Sequence, residues 1–285
     1  MIAVLGAKGQ LGSAFVRALG DSCLPMSRAD LDLTYVEAIE PWVRSVRPDL
    51  VINCAAYTAV DAAETDVETA RMVNAIAVGA LAETAARHDV GLVTFSTDYV
   101  FDGDKETGYV ESDEANPLSV YGRTKLEGEQ RAMAAHPDVL VVRTSWLLSS
   151  THRNFLTTML CKLAEGEVTV VTDQRGRPTF VDDLVHGTLD AVNAGATGIL
   201  HLANQGVTTW YGLAVEIASL AGYDPDSVKP ISSADLDRPA RRPANSVLDS
   251  DRLEELRVPP LPHHRVGLPD AVRELMTRRL THPPG

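Results

Sequence analysis

Short apolar runs alternate with longer stretches of helical periodicity along much of the chain. Each run has an aliphatic or β-branched core with turn residues nearby, which is typical of strands that are covered on both faces. The predicted strands are Ile2–Leu5, Cys23–Met26, Leu50–Cys54, Leu92–Phe95, Leu140–Arg143, Val168–Val171 and Ile199–Leu202. Apolar residues three and four apart predict amphipathic helices over Leu11–Leu19, Val36–Val46, Val67–His88, Leu118–Ala135 and Asn154–Ala164. Strands that alternate with helices in this way predict an α/β fold with a doubly wound parallel sheet.

The regular alternation weakens after about Asp173. Pro225–Pro243 collects Pro, Ser, Asp and Arg, and a last helix-like stretch follows at Pro269–Leu280. We therefore expect a main domain over residues 1–150 and a smaller C-terminal lobe over residues 151–285, with the lobe interleaved with the main domain.

Composition and charge exclude several classes of protein. The chain has 26 Lys and Arg against 39 Asp and Glu, a net charge of −13, which argues against a nucleic-acid binder because such proteins cluster basic residues against phosphates. Cys23, Cys54 and Cys161 have no C-x-x-C spacing and are expected to be buried free thiols in a reducing compartment. The N-terminus lacks a signal-peptide pattern, and the longest uncharged run, Ala191–Val215, is too polar to span a membrane. We expect a cytoplasmic protein that does not bind membranes.

Glycines follow the first predicted strand at a spacing of three. Gly6, Gly9 and Gly12 stand between this strand and the first predicted helix. A dinucleotide pyrophosphate in such a turn meets free backbone N–H groups and the positive end of the helix dipole. A tight strand-to-helix turn that needs glycine for its backbone alone is the alternative that these residues leave open.

The next two strand ends carry further candidate cofactor contacts. Asp32 could hold adenosine hydroxyls, whereas Arg28 could meet a 2′-phosphate, so NADH and NADPH both remain open. After the third strand, Asn53–Thr58 supplies small residues at the sheet edge where open α/β proteins bind ligands.

A tyrosine and a lysine four residues apart carry the candidate chemistry. Tyr121 and Lys125 share one face of a predicted helix that Pro117 can open, and the fourth strand ends in hydroxyl groups that include Thr97. A neighbouring ammonium group lowers the pKa of a phenol and so makes proton exchange easier. A surface helix with an extended lysine is the alternative for this pair alone.

Several of these segments resemble a known family. The glycine motif, Thr97 and Tyr121-x-x-x-Lys125 resemble the extended short-chain dehydrogenase/reductases, which have a Rossmann-like fold. The segments that resemble the dTDP-4-dehydrorhamnose reductase family within this group are Gly9–Gly12, Asn53–Asp61, Ser96–Gly103, Arg143–Trp146, Asn154-Phe155, Asp173–Thr179 and Arg242–Ser246.

The resemblance implies a reaction and a role for each residue. The reaction is reduction of the C4 ketone of dTDP-6-deoxy-L-lyxo-4-hexulose to dTDP-L-rhamnose, with hydride from a reduced nicotinamide. Tyr121 would donate the proton, Lys125 would hold the nicotinamide ribose and lower the pKa of Tyr121, and Thr97 would hydrogen-bond the carbonyl. Asp98 and Trp146 would join Thr97 in contacting the sugar.

The first domain would then bind NAD(P), and the lobe would bind the substrate. The residues implied to contact the cofactor are Gly6, Gly9, Gln10, Leu11, Gly12, Arg28, Asp32, Leu33, Ala56, Tyr57, Thr58, Tyr121 and Lys125.

Two departures from the family pattern shape the remaining expectations. Some members are thought to dimerise around a metal held partly by an acid in the first helix, whereas this helix reads Ser13–Arg17 without one. We therefore expect no metal and a monomer or a homodimer. Arg28 and Asp32 favour opposite cofactors, and we expect NADPH, with NADH possible.

Two other functions stay open at this stage. The chain could be a 4-ketoreductase or an epimerase for a different nucleotide deoxysugar. It could also be a non-catalytic dinucleotide-binding regulatory subunit, such as that of methionine adenosyltransferase.

Overall fold

The main sheet consists of short strands, of which the four central ones are almost entirely buried. The computed structural model describes residues 1–281, so residues 282–285 of the predicted lobe lie outside the described residues. The strands of this sheet are β1 (Ile2–Leu5), β2 (Cys23–Met26), β3 (Leu50–Asn53), β4 (Gly91–Thr97), β5 (Leu140–Thr144) and β10 (Gly198–His201). All neighbours are parallel, in the order β10-β5-β4-β3-β1-β2. The predicted doubly wound parallel sheet is confirmed.

Apolar side chains cover both faces of this sheet. Ala3, Val51 and Val141 belong to one buried cluster, whereas Val4 and Ile52 belong to another on alternate positions of the same strands. Because successive strand residues point to opposite faces, each strand needs apolar residues throughout, which gives the continuous runs seen in the sequence.

Helices flank the sheet and build the lobe. Their bounds are α1 (Gln10–Leu19), α2 (Ile39–Val46), α3 (Val60–Ala63), α4 (Val67–Arg71), α5 (Ala77–Arg87), α6 (Val120–Ala135), α7 (Phe155–Glu165), α8 (Val181–Asn193), α9 (Trp210–Leu220), α10 (Arg252–Leu256) and α11 (His264–Thr281). The predicted helix Val67–His88 is interrupted by a π-helical turn, Met72–Ile76, between α4 and α5. Pro117 does not open α6, because Ser119 caps it and accepts a hydrogen bond from the Gly122 N–H at 3.1 Å.

The remaining strands form two-stranded pairs outside the main sheet. They are β6 (Leu147–Leu148) with β9 (Thr179–Phe180), β7 (Val168–Val171) with β12 (Val228–Ile231), and β8 (Arg175–Gly176) with β11 (Thr208–Thr209). The prediction that the apolar run Val168–Val171 joins the main sheet is therefore wrong, because it pairs with β12 instead. Burial alone does not specify a pairing partner.

The lobe has its own apolar core, which is formed by α7, α9, α11 and β7. The chain leaves this core at α8, which packs on the main sheet, and β10 then forms an outer strand of that sheet. Cys161 is exposed and Cys23 and Cys54 are half-buried, so the expectation of buried thiols is wrong for Cys161 and only partly met by the other two.

Candidate active site

The turn after β1 brings two strand ends into backbone contact. Gly6 has a positive φ of 71°, and a Cβ there would lie 2.8 Å from the Ala55 nitrogen after β3. A Cβ on Gly12 would lie 2.2 Å from the Gly6 oxygen, so α1 can approach the turn only with glycine at this position. Gly9 caps α1 without a side-chain hydrogen bond, and its Cβ would meet only the Gly6 oxygen, at 3.3 Å. The N-terminus of α1 therefore opens onto free space between β1 and β3, where the strand order reverses.

A cavity of about 670 Å³ lies beside this turn, and we call it the glycine-loop cavity. Of the predicted cofactor residues, it is lined by Gly6, Gly9, Arg28, Asp32, Leu33, Ala56 and Tyr57. Arg28 Nε donates to Asp32 at 3.0 Å, so the two residues that favoured opposite cofactors form an ion pair. The other Asp32 oxygen accepts hydrogen bonds from the backbone and the hydroxyl of Thr34 at 3.0 and 2.8 Å, and these bonds lower the pKa of Asp32.

A second cavity of about 420 Å³, the tyrosine cavity, adjoins the first. The two share lining residues Gly9, Cys54, Ala55 and Ala56. Of the predicted site residues, the tyrosine cavity is lined by Gly9, Gln10, Leu11, Ala56, Thr58, Thr97, Asp98, Tyr121, Lys125 and Trp146. Gly12 lines neither cavity and instead packs on Gly6.

Thr97 and Tyr121 come from different elements and converge in the tyrosine cavity. Thr97 ends β4, donates to Asp98 Oδ1 at 2.9 Å and accepts from the Tyr99 N–H at 3.2 Å. Tyr121 lies in the first turn of α6, edge-on to Tyr99 with ring centroids 5.9 Å apart. Burial raises the pKa of Tyr121 to about 12; a hydrogen bond from Thr97 opposes this rise, and the Asp98 charge adds to it. The expected lowering of the Tyr121 pKa is therefore wrong in direction, because desolvation of the phenolate is the largest effect.

Lys125 is held by the sheet. Its Nζ donates to the Phe95 carbonyl at 2.5 Å, and the side chain is buried. Burial lowers the pKa of Lys125 to about 8, and the charge of Glu129 one turn later partly offsets that shift. Glu129 itself forms a buried bidentate ion pair with Arg143 on β5, at 3.0 and 2.6 Å.

Asp98 is the buried carboxyl of the tyrosine cavity. Burial raises its pKa to about 6, and hydrogen bonds from Ser246 and Thr97 partly offset that rise. Asp98 thus remains mostly ionised at neutral pH and changes its charge in mildly acidic solution.

Trp146 stacks on a second tryptophan at the lobe side of the cavity. Its ring lies parallel to Trp210, with centroids 3.6 Å apart and planes at 7°. Trp210, which begins α9, also lines the tyrosine cavity. One face of the Trp146 indole is therefore covered by protein.

Several buried polar atoms around the tyrosine cavity lack hydrogen-bond partners. Among the atoms of residues 1–281, Gln10 Nε2, Ser96 Oγ and Thr144 Oγ1 are buried without a hydrogen-bond partner. Buried polar groups are nearly always paired in folded proteins, so these atoms fit a polar ligand in the cavity. The glycine-bounded space at the N-terminus of α1 fits the phosphates of a dinucleotide.

Comparisons with known proteins agree with this arrangement. The family model for the RmlD substrate binding domain matches residues 1–277. A probable dTDP-4,6-dihydroxy-2-methyloxan-3-one 4-ketoreductase from Streptomyces antibioticus is 42 % identical over 99 % of this chain and 97 % of its own. The dTDP-4-dehydrorhamnose reductase of Mycolicibacterium smegmatis is 41 % identical over 95 % of this chain and 84 % of its own.

This chain belongs to the dTDP-4-dehydrorhamnose reductase family. The resemblance predicted from the sequence is confirmed, and membership makes the protein an oxidoreductase. A solved dTDP-4-dehydrorhamnose reductase from Bacillus anthracis, in complex with NADP, matches with a TM-score of 0.90 and 32 % identity, over 97 % of this chain and 98 % of that one.

Three residues near the cavities of this family member were missed by sequence reasoning. Trp210 gave no signal, because it is distant in sequence from Trp146. Lys8 lines the glycine-loop cavity, and its place between two of the motif glycines could have revealed it. Asn74, in the π-helical turn, is buried and binds the Tyr57 backbone, and nothing in the sequence indicated the irregular helix that carries it.

The described residues also bear on metal clusters and membrane-spanning helices. No cluster of three or more His, Cys, Asp or Glu side chains suited to a metal occurs in the part of the chain that the structure describes. None of the helices within residues 1–281 is both long and apolar enough to cross a membrane.

Proposed function

We propose that this protein reduces the C4 ketone of dTDP-6-deoxy-L-lyxo-4-hexulose to give dTDP-L-rhamnose, with NADPH as the reductant. The observation that carries the proposal is the convergence of Thr97, Tyr121 and Lys125 in a cavity that adjoins the glycine-loop cavity. Relatives named dTDP-4-dehydrorhamnose reductase, which match nearly the whole chain, support the proposal.

The dinucleotide would lie across both cavities. The turn from Gly6 to Gly9 and the N-terminus of α1 would hold its pyrophosphate, and the segment from Ala56 to Thr58 would line its path to the tyrosine cavity. Bound there, a reduced nicotinamide supplies the hydride for the ketone carbon.

NADPH is favoured by the charges in the glycine-loop cavity. Both oxygens of Asp32 already accept hydrogen bonds, which leaves this carboxylate poorly placed to bind ribose hydroxyls. Lys8 and Arg28 line the same cavity, and the hydrogen bond to Asp32 uses only Nε of Arg28. A guanidinium group is well suited to a 2′-phosphate. The NADP in the Bacillus anthracis structure agrees with this choice.

Steady-state kinetics with both cofactors test this choice. Arg28→Ala should lower kcat/KM for NADPH by about tenfold to a hundredfold and leave kcat/KM for NADH almost unchanged, since a charge-assisted hydrogen bond contributes roughly 1.5–3 kcal/mol. Arg273→Ala, which removes an exposed arginine of α11, is the control. Equal losses with the two cofactors would reject a role for Arg28 in phosphate recognition.

Tyr121 is suited to donate a proton to the product. Its raised pKa keeps the phenol protonated throughout the neutral range, which is the form that reduction of a ketone consumes. The alkoxide formed at the sugar is a stronger base than the phenolate, so the transfer is favourable. Thr97 beside it would turn its hydroxyl proton from Asp98 to donate a hydrogen bond to the same oxygen.

Lys125 and the lobe complete the site. Lys125 lines the cavity, its Nζ donates to the Phe95 carbonyl, and it would contact the nicotinamide ribose. Asp98 and Trp146 would contact the sugar, and the segment after residue 150 would close this end of the cavity through Trp210. We infer that the cofactor binds mainly to residues 1–150 and that the lobe contributes to sugar binding.

A second ketosugar is supported by a specific relative. The Streptomyces antibioticus protein, 42 % identical, is named for a 4,6-dihydroxy-2-methyloxan-3-one. In this ring numbering position 6 is the anomeric carbon, and position 5 beside it carries no hydroxyl, so the compound corresponds to a 2-deoxy ketosugar. A single hydroxyl changes discrimination by only about 1–3 kcal/mol in a site that does not bind it. The 2-deoxy ketosugar is therefore the second candidate substrate.

The deciding experiment measures oxidation of NADPH with each dTDP-ketosugar generated in situ, for the wild type and Tyr121→Phe. We expect turnover by the wild type and a loss of at least about a hundredfold in Tyr121→Phe, because general acid catalysis contributes roughly 10²–10⁴-fold. A higher kcat/KM for the 2-deoxy sugar would move the assignment to the second candidate. Folded wild-type protein that reduces neither sugar would reject the proposed function.

A further inference from the structure

Trp146 has a backbone conformation that a bulky residue rarely adopts. Its φ is +48°, in the left-handed region that favours glycine. Such a conformation persists only where the surrounding structure holds it in place. The contacts of the Trp146 indole therefore indicate what keeps this residue facing the tyrosine cavity.

Trp210 covers one face of that indole. The two rings are nearly parallel at 3.6 Å, and Phe155 packs against Trp210 in turn, with centroids 4.4 Å apart. Trp210 is itself well anchored, because it begins α9 directly after the capping residue Thr209, whose hydroxyl accepts from the Gly212 N–H at 2.9 Å. The stack thus joins a strained residue to a rigid helix start.

A two-stranded pair brings the other contact to the same indole. Gly176 on β8 lies opposite Thr208 on β11, two residues before Trp210. A Cβ on Gly176 would lie 2.4 Å from Trp146 Cε2 and 2.7 Å from its Nε1. The β8–β11 pair therefore packs Gly176 onto the plane of the indole at Cε2, while Trp210 stacks on a face of the same indole.

We propose that Trp210 is a positioning residue for the sugar, which acts by stacking on Trp146 and holding its indole as a wall of the tyrosine cavity. This inference rests on the proposed function for its substrate, a nucleotide-linked ketosugar. Thr97 and Tyr121 belong to β4 and α6 and do not depend on the stack.

Loss of the stack should weaken binding of the sugar more than it slows the chemical step. Without the stack, the Trp146 side chain adopts its position in the cavity wall in only a fraction of the molecules. The apparent affinity for the sugar is then reduced by that fraction. The cofactor would lie on the other side of the reacting centre, so its affinity should not change.

Tryptophan fluorescence reports the position of Trp146 without any substrate. The chain has 3 tryptophans, and the third, Trp42, packs on the core beneath the main sheet and lines neither cavity. In a Trp42→Phe background, Trp210→Leu or Trp210→Phe leaves Trp146 as the sole indole. We expect the Leu variant to emit at longer wavelength and to be quenched more strongly by acrylamide than the Phe variant, because only Phe can restore a stack.

Kinetics of the same variants test the consequence for the sugar. Trp210→Leu should raise KM for the ketosugar about threefold to tenfold, in line with the strength of an aromatic pair, with kcat and the KM for NADPH nearly unchanged. Trp210→Phe should recover most of the loss, and Trp42→Phe alone should match the wild type.

Two results would overturn the inference. One is identical emission and quenching of Trp146 in the Leu and Phe variants, and the other is a loss confined to kcat. If the wild type reduces neither ketosugar while the Leu variant still releases Trp146, the proposed substrate fails but the positioning of Trp146 by Trp210 stands.

Discussion

The carboxamide of Asn74 binds both polar groups of the Tyr57 backbone. Asn74 Oδ1 accepts from the Tyr57 N–H at 2.9 Å, and its Nδ2 donates to the Tyr57 carbonyl at 3.0 Å and to the Thr124 hydroxyl at 3.2 Å. Asn74 lies in the π-helical turn, where the extra residue per turn directs its side chain away from the regular helix face. One side chain thus connects the segment after β3 that lines the glycine-loop cavity with α6, the helix of Tyr121.

Asn74→Ala should loosen this connection. We expect a loss of about 1–3 kcal/mol in the free energy of unfolding, because backbone groups of Tyr57 lose their partners. KM for NADPH should rise, since the segment around Tyr57 lines the glycine-loop cavity. Urea unfolding and initial rates check both effects. Asn193→Ala, at the exposed end of α8, is the control, and equal behaviour of the two variants would contradict the prediction.

The charge of Lys125 should limit activity in alkaline solution. Its pKa of about 8 means that the ammonium is present below this pH and is lost above it. We expect kcat/KM to fall as pH rises through about 8, and Lys125→Arg, whose guanidinium stays charged, to lack that decline at a lower overall rate. A decline at the same pH in both proteins would assign it to another group.

The same lysine has a defined effect on stability. Because its pKa is lower in the folded state than the usual 10.5, the unfolded chain binds more protons between about pH 8 and 10.5. This group's contribution to the free energy of unfolding therefore rises with pH over that interval. The unfolding free energy of the wild type minus that of Lys125→Met should increase from pH 8 to pH 10. A constant difference would contradict the burial of the charge.

Asp98→Asn should stabilise the protein at neutral pH. The folded-state pKa of about 6 exceeds the usual 3.8, so the contribution of Asp98 to stability declines as pH rises from about 4 to 6. The variant should gain roughly 1–3 kcal/mol at pH 7 over the wild type and little near pH 4. Urea unfolding at both pH values checks this, and a gain that is independent of pH would show that desolvation of the carboxylate is not the cause.

Alanine substitutions at two glycines of the same motif should have different effects. Gly12→Ala places a methyl group 2.2 Å from the Gly6 oxygen and should cost about 1–3 kcal/mol of stability, as overpacked sites do. Gly9→Ala meets no such obstacle and should fold normally, yet bind NADPH roughly tenfold more weakly, because its methyl group enters the space for the pyrophosphate. Thermal unfolding and cofactor titration separate the two, and weak cofactor binding with poor folding in both would contradict the assignment.

The order of elements in the main domain could be predicted from the sequence, since each strand and helix carries its own periodic signal. The predictions failed where an outcome depended on a distant partner. Val168–Val171 formed a strand as expected, but its partner β12 lies in the lobe. The capping role of Ser119 and the π-helical turn at Met72–Ile76 were missed, because local apolar spacing does not distinguish such details.

By itself the sequence determined the family, and it predicted the glycine turn and the candidate catalytic residues Thr97, Tyr121 and Lys125, because these are features of residue type and spacing. Only the tertiary structure decided how those groups behave. Burial raises the pKa of Tyr121, although a nearby lysine predicted the opposite, and Asp32 is occupied by Arg28 and Thr34. Trp210 reaches Trp146 through the β8–β11 pair, a contact that no local pattern encodes. Desolvation and long-range packing depend on everything that surrounds a side chain in three dimensions, so they are set by the folded structure.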